Sequence, residues 1–404
     1  MKLLFFTESY PYGYGELWKT NELNVLKNFF EHIIVIPLSF AGNRTPVPFI
    51  NGIEYVEPLF QSDFPVVSSK QKILSVFFSR HIGHFLKEAW TEKVYLSLDK
   101  TKKWLEESFK IISITDNSRF RQLIKSVDKN SVVYFYWGRG ISEIMAVMKP
   151  KSYKTVSRFH GYDLYRERNN GYIPYQRAQI KNIDFSLACS HIGMKTLQRY
   201  HPFLRKKISV ARIGTISKGL SVPSTDEYLR IVSCSFLHKV KRVEIIAEAM
   251  KYLNIKVQWT HIGGGEGLME IKKIVDEVGD NVRISLQGSM SNEEVISYYV
   301  NNQVDLFINV SESEGVPVSI MEALAAGIPV MATNVGGTSE IVNEKSGILL
   351  PADITPRGLA GEIEKFSAFS REQKDEKRKW AFEKYNEMCN AEKLAKEFAT
   401  FLLN

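Results

Sequence analysis

The chain has 404 residues, 44% apolar and 24% charged, with a formal net charge of +8. That length exceeds one ordinary hydrophobic core, so two domains are expected, and the composition is globular rather than disordered or fibrous. No apolar run approaches the about 18 residues that a membrane-crossing helix needs, and the basic excess favours phosphorylated substrates, anionic lipid headgroups or nucleic acid as partners.

The opening KLLFFT reads as a core strand, because MKLLFFTESYPYG is too brief for a secretory apolar region and lacks a small-residue cleavage site. Gly13 and Gly15 follow, before a helix start near Glu16. Glycines there let the backbone approach a ligand, and a helix start faces phosphate well; a plain tight turn explains the same pattern. The next strand is HIIVIPL. Between Lys70 and Lys110 nine Lys/Arg stand against five Asp/Glu, and Ile73, Phe77, Phe78, Ile82, Phe85 and Leu86 recur at roughly helical spacing. Such a helix either lies on an anionic membrane face or packs its apolar side on the core with a basic face in water, and the second is the more common arrangement.

SVVYFYW is another strand, ending at Trp137, Gly138 and Arg139, where Arg139 is placed to meet an anionic acceptor. KTVSRF follows and ends at His160, with Gly161 and Asp163 shaping its loop. A lone histidine at a strand end is more often structural than functional. FSLACS, the helix HIGMKTLQRY and KISVARIG complete the first half. GTISKGLSVPSTDEYL then reads by composition as an interdomain linker near 214–226. Cys189, Cys234 and Cys389 lack metal-ligand spacing and read as reduced core thiols of a cytosolic protein.

The second half repeats the alternation with RIVSCSF, KVQWTHIG, VRISLQG, VDLFINV and IPVMA, each followed by a helical pattern. Alternating strands and helices predict doubly wound α/β layers in both halves. Gly263 lies in THIGGGEG, which has Leu268 where a dinucleotide fingerprint needs glycine, and so reads as a ligand-edge loop. The richest stretch is VSESEGVPVSIMEALAAGIPVMATNVGGTSEIV, from Val310 to Val342. Glu314 and Gly315 lie in a loop, Pro317 opens a helix, Glu322 lies about one and a half turns inside it, and Gly327 ends it. A helix start beside Val316, Pro317 and Val318 suits an anion, and a loop carboxylate suits hydroxyls or a developing positive charge. The chain closes on one or two long amphipathic helices.

EGVPVSIMEALAAGIPV with GGTSEIV resembles the signature of retaining family-4 glycosyltransferases, group 1, of the GT-B fold. YPYGYGELWKTNEL, FHGYDLY, ACSHIGMKTL…KISVARIGT, FLHKVKRVEIIAEAM and LQGSMSNEEVISYY agree in the same order across nearly the whole chain. The resemblance implies two Rossmann-like domains facing across a cleft, 1–213 for the acceptor and 214–387 for a nucleotide-sugar donor, with the last helix, about 388–404, crossing back to the first domain. It implies that Glu314 reaches the donor sugar, Glu322 the ribose, Lys241 the diphosphate, and the amides of Gly315 to Val318 the donor. It also implies that His160 lies near the sugar and that Gly13 and Gly15 line the cleft by the diphosphate. The family's usual Gly-Arg is replaced by Ser235-Phe236, so Arg242, His238 or Lys239 must stand in for that arginine, or the phosphate grip is weaker; Lys241 with Arg242 is the favoured combination.

The activity so implied moves a sugar with retention from a UDP- or GDP-sugar to a saccharide acceptor, lipid-linked, in bacterial surface polysaccharide synthesis. Neither Asp-x-Asp nor clustered His/Cys occurs, and no metal is expected. The enzyme would be cytoplasmic or peripheral on the inner membrane face, and nucleic acid is disfavoured. Two other readings stay open: a nucleotide-sugar enzyme with a small soluble acceptor or epimerase activity, and a silent sugar-nucleotide-binding subunit.

Overall fold

The computed structural model describes residues 1–12, 18–40, 44–61, 65, 67–148 and 152–404. Gly13 and Gly15 lie outside the described residues. The chain divides into two compact units, Met1–Ala211 with Ala395–Asn404, and Arg212–Leu394.

The first unit is built on strands β1 (Lys2–Thr7), β2 (His32–Pro37), β3 (Glu54–Tyr55), β4 (Ser131–Phe135), β5 (Lys154–Phe159), β6 (Phe185–Ala188) and β7 (Ile208–Val210). They form one parallel sheet in the order β3-β2-β1-β4-β5-β6-β7. Successive side chains of a strand point to opposite faces, and here both faces are covered. Leu3 and Phe5 enter one core cluster while Leu4 and Phe6 enter another. That is why the strand reads as an unbroken apolar run. Phe398 packs edge-on against Tyr134 at 5.0 Å, and Lys154 Nζ donates to the Leu402 carbonyl at 2.9 Å, so Ala395–Asn404 completes this unit's core.

The second unit holds β8 (Leu229–Cys234), β9 (Val257–Ile262), β10 (Val282–Leu286), β11 (Leu306–Asn309), β12 (Val330–Thr333) and β13 (Gly347–Leu350). Its parallel order is β10-β9-β8-β11-β12-β13, the same winding as the first sheet. Ile231, Leu306 and Ile308 face one cluster and Val232 and Phe307 the other. In such sheets the connections leave in opposite directions from the two central strands. A crevice therefore opens at their carboxyl ends, at β1/β4 and at β8/β11.

Three sequence expectations change. Each sheet carries an edge strand beyond those read from the sequence, β3 and β13. The 214–226 stretch is no free linker: Ser217 Oγ donates to the Ala325 carbonyl at 2.6 Å, Ser217 N–H donates to the Tyr385 hydroxyl at 2.9 Å, and Ser221 N–H donates to the Ala326 carbonyl at 2.8 Å. Its Gly and Ser serve close backbone packing; a Cβ on Gly214 would lie 2.2 Å from the Cys389 carbonyl oxygen. Finally, the basic segment after Lys70 is two helices, Ser69–Phe77 and Ile82–Thr91, and of its six spaced apolar residues only Phe85 is buried. The segment packs one side on a core cluster through Val76, Ile82 and Phe85, and leaves other large apolar residues in water.

Arg378 anchors the strap from the helix Arg371–Met388, donating to the carbonyls of Val304, at 2.7 Å, and Ser221. Arg378→Ala leaves both carbonyls without this donor and should lower unfolding stability by about 1–3 kcal/mol. Denaturant melts should show the loss, with faster amide exchange around residues 217–222.

Candidate active site

In the second unit the loop after β8 runs through Ser235 and Phe236 to a short turn at Lys239–Lys241, and the loop after β11 runs from Val310 to Pro317. The two are sewn together. Glu312 N–H donates to the Val240 carbonyl at 2.8 Å. Arg242 holds a left-handed backbone, φ 50°, and its guanidinium donates to the carbonyls of Val310 at 2.8 Å, Ser311 at 3.4 Å and Ala352 at 2.8 Å. Lys241 Nζ then reaches Glu314 Oε1 at 2.6 Å, and Glu314 is buried while Lys241 keeps a quarter of its side chain exposed. A charged pair at this distance on two pinned loops is the strong kind of hydrogen bond.

The pairing corrects one expectation. Arg242 was to supply the missing phosphate charge beside Lys241, but its guanidinium is committed to three main-chain carbonyls of the neighbouring loops. It positions Lys241 and Glu314 instead. Phe236, where the family arginine is expected, is 65% exposed and lies at 5.9 Å from the His238 ring. His238 itself is 3.7 Å from Glu266.

The helix Val318–Ala325 starts directly after Pro317, with no side chain capping it. Its first N–H groups and its positive dipole end therefore face the same loop as Glu314. Gly336 explains the paired glycines downstream: its φ is 52°, and a Cβ there would sit 1.9 Å from the Glu314 carbonyl oxygen. Gly337 N–H donates to the Gly315 carbonyl at 2.6 Å. Gly263 plays the matching part by the β8 loop, with φ 145° and room for no Cβ within 1.8 Å of the Ser235 carbonyl oxygen.

Glu322, one turn further along that helix, is buried and accepts a hydrogen bond from Asn292 Nδ2. Burial pushes its carboxyl up to about 7, against the opposing effect of the Asn292 contact. Asn292 was missed by sequence reasoning. Its signal is the Ser291–Glu294 capping box that starts the helix Asn292–Asn301.

In the first unit His160 stands just beyond β5. Its Nε2 lies 3.0 Å from the Tyr136 carbonyl and its Nδ1 3.4 Å from Cys189 Sγ. A carbonyl only accepts, so Nε2 carries the proton and Nδ1 accepts from the thiol. Tyr136 stacks on the ring at 5.1 Å and Trp137 leans on it at 4.4 Å. Asp163 shapes that loop, as its position beside His160 suggests. It is buried, its carboxylate accepts the N–H groups of Gly138 at 2.6 Å and of His160, and burial pushes it up to about 7. It braces the His160 loop.

Arg139 corrects a second expectation. Its guanidinium meets Glu107 at 2.9 Å, Glu143 at 3.5 Å and Asn169 at 3.1 Å, and packs over Tyr162 at 5.0 Å. With 17% of its side chain exposed, its charge is neutralised internally rather than offered to an anionic acceptor. Burial, with Glu107 beside it, pushes the Glu143 carboxyl well above the ordinary range. Glu107 resists burial and stays low because Lys110 and Arg139 lie against it.

The raised Glu322 gives a signed pH dependence. The carboxyl binds its proton more tightly when folded, so this stabilisation is complete below about pH 4.5 and is lost as pH rises through about 7. Glu322→Gln should therefore be more stable than the parent at pH 8, by up to about 3 kcal/mol, and indistinguishable at pH 4. Urea unfolding at the two pH values measures it; an equal offset at both would refute the assignment.

Known proteins resemble this chain in sequence and in fold. Residues 221–384 match the model of the glycosyl transferases group 1. WcaL of Escherichia coli K12, which its name provisionally assigns to glycosyl transfer in colanic acid biosynthesis, is 28% identical over 263 residues, 62% of this chain. The chain spans 64% of that relative's length. Among solved structures, the apo lipopolysaccharide outer core galactosyltransferase WaaB is 15% identical over 99% of both chains, with a TM-score of 0.68. Anabaena HepE in complex with UDP-glucose is 14% identical over 100% of this chain and 99% of its own, with a TM-score of 0.62. The chain thus matches the group 1 glycosyl transferases through residues 221–384, and its two Rossmann-like units have the GT-B fold.

Proposed function

We propose that this chain transfers a sugar from a nucleoside-diphosphate sugar to a saccharide acceptor, lipid-linked, in the assembly of a bacterial surface polysaccharide, with retention at the anomeric carbon. The observation that carries the reading is the Lys241–Glu314 contact of 2.6 Å at the β8/β11 crevice, beside an uncapped helix start. Cation, carboxylate and dipole are the three charges that a departing diphosphate and an electron-poor sugar carbon require. The names of WcaL and of AmsK of Erwinia amylovora, a glycosyltransferase of amylovoran biosynthesis, support the polysaccharide class.

In this mechanism the donor diphosphate draws Lys241 away from Glu314. The bond from the anomeric carbon to the phosphate oxygen breaks, and its electron pair leaves on the diphosphate, where Lys241 and the Val318 helix start neutralise it. Glu314, released, supports the sugar hydroxyls and the positive charge growing on the ring. The acceptor oxygen bonds to the same face, and its proton passes to the leaving phosphate oxygen. Glu322 binds the ribose. No metal is required, because the lysine and the helix balance the diphosphate.

Lys241→Ala should reduce kcat by roughly a hundred- to a thousandfold with any UDP- or GDP-sugar that raises the parent's melting point. Unchanged turnover would remove Lys241 from the mechanism. Proton NMR of the first-formed product should show the donor's anomeric configuration, and inversion or a covalent sugar on Glu314 would refute the same-face route. Activity should survive EDTA; its loss, restored by a divalent cation, would overturn the metal-free reading.

A further inference from the structure

The two basic helices of the first unit, Ser69–Phe77 and Ile82–Thr91, each present apolar side chains on both sides. Inward, Val76, Phe85 and Val94 join a core cluster with Trp104 and Ile111 of the helix Leu98–Asp116, and Trp104 Nε1 donates to the Phe85 carbonyl at 3.1 Å. That contact fixes which side faces water. Outward, Leu74, Phe77 and Phe78 extend from the first helix and its end, and Leu86 and Trp90 from the second, all exposed. Phe78 is 85% exposed and Trp90 76%, and Trp90 lies 6.1 Å from the exposed ring of Tyr95. Folding gains nothing from large apolar groups in this position, and a group of them on two adjoining helices marks an interaction surface.

The charges around the patch identify what it meets. Lys70, Lys87 and Lys93 are exposed and make no ion pair among the described residues. The two carboxylates of the same segment are turned away: Glu88 is buried against Tyr172 and the Tyr175 N–H, and Glu92 pairs with Arg166 at 3.7 Å. Among the described residues of the two helices the outward face is thus aromatic and cationic. A second copy of the chain would bring lysine against lysine, since a two-fold interface places the same patch on both sides. A bilayer rich in anionic lipid meets both features, with Trp and Phe at headgroup depth and Lys on the phosphates. Helices of 9 and 10 residues are too short to cross it, so they would lie in the interface.

We infer that the exposed face of the Ser69–Phe77 and Ile82–Thr91 helices docks the protein on an anionic lipid surface, with Phe77, Phe78 and Trp90 inserted and Lys70, Lys87 and Lys93 on the headgroups. This supplies the partner for the transfer reading and rests on it only for where the acceptor is found.

Flotation of the full chain tests it with two vesicle types, phosphatidylcholine alone and phosphatidylcholine with phosphatidylglycerol in equal parts. The chain should float with the second at low salt and detach at high salt, which screens the lysines. F78S/W90S should bind the anionic vesicles at least about tenfold more weakly, and K70E/K87E should do the same. Both pairs are exposed surface positions, so melting point and the thermal shift with nucleotide-sugars should be unchanged. No flotation of the parent at low salt overturns the docking surface while leaving sugar transfer to a soluble acceptor intact. Equal flotation with neutral vesicles, or a parent dimer that F78S/W90S converts to a monomer, overturns it in favour of a purely apolar or self-associating face. Flotation by a chain that binds no nucleotide-sugar supports the surface and refutes only the transfer reading.

Discussion

Lysine 241 and glutamate 314 come from loops 73 residues apart and meet because a parallel sheet delivers both loops to one edge. Charges so placed need rigid carriers, since a mobile ammonium in water contributes little to a buried carboxylate. The second unit provides the rigidity through main-chain contacts: Glu312 to Val240, Arg242 to Val310, Ser311 and Ala352, and Gly337 to Gly315. The glycines of the region are explained by this sewing. Gly336 and Gly263 stand where another loop's carbonyl oxygen occupies the space of a side chain. The pair is thus the visible end of a backbone arrangement, and its geometry survives only while those contacts do.

The α/β class, most strands and the strand-end positions of Glu314, Lys241 and His160 were legible in the sequence. Doubly covered parallel strands are continuous apolar runs, and the sites lie in the first residues after them. What escaped follows from physics that sequence spacing does not carry. Arg242 and Arg139 look like available cations, yet one is absorbed by carbonyls and the other by Glu107 and Glu143. Asp163 was legible as shaping its loop, but not that it does so as a brace between two N–H groups. A side chain's partners depend on residues far along the chain, and Asn292 reaches Glu322 from 30 positions away. The glycine- and serine-rich 214–226 stretch shows the same limit, because small residues suit tight packing as well as freedom.

The strand ends of the first unit hold a different balance of charge. Arg139 and Lys110 face Glu107, whose carboxyl they hold low, and Glu143, whose carboxyl burial pushes up. Two carboxylates so close cannot both be charged in a buried setting, and one proton settles the matter. The result is a stiff floor beneath Gly138 and the His160 loop rather than an open binding surface. His160 itself is held by a carbonyl, a thiol and two aromatic rings, so its orientation is set before any ligand arrives.

The first unit's sheet closes only when Ala395–Asn404 returns to it, bringing Phe398 onto Tyr134 and under the Arg158 guanidinium at 4.3 Å. Between β7 and that segment lies the whole of Arg212–Leu394. During synthesis the second unit therefore has all of its residues before the first does, and the amino-terminal sheet must wait with an uncovered patch at Tyr134 until translation has passed residue 395. The unit made first is finished last.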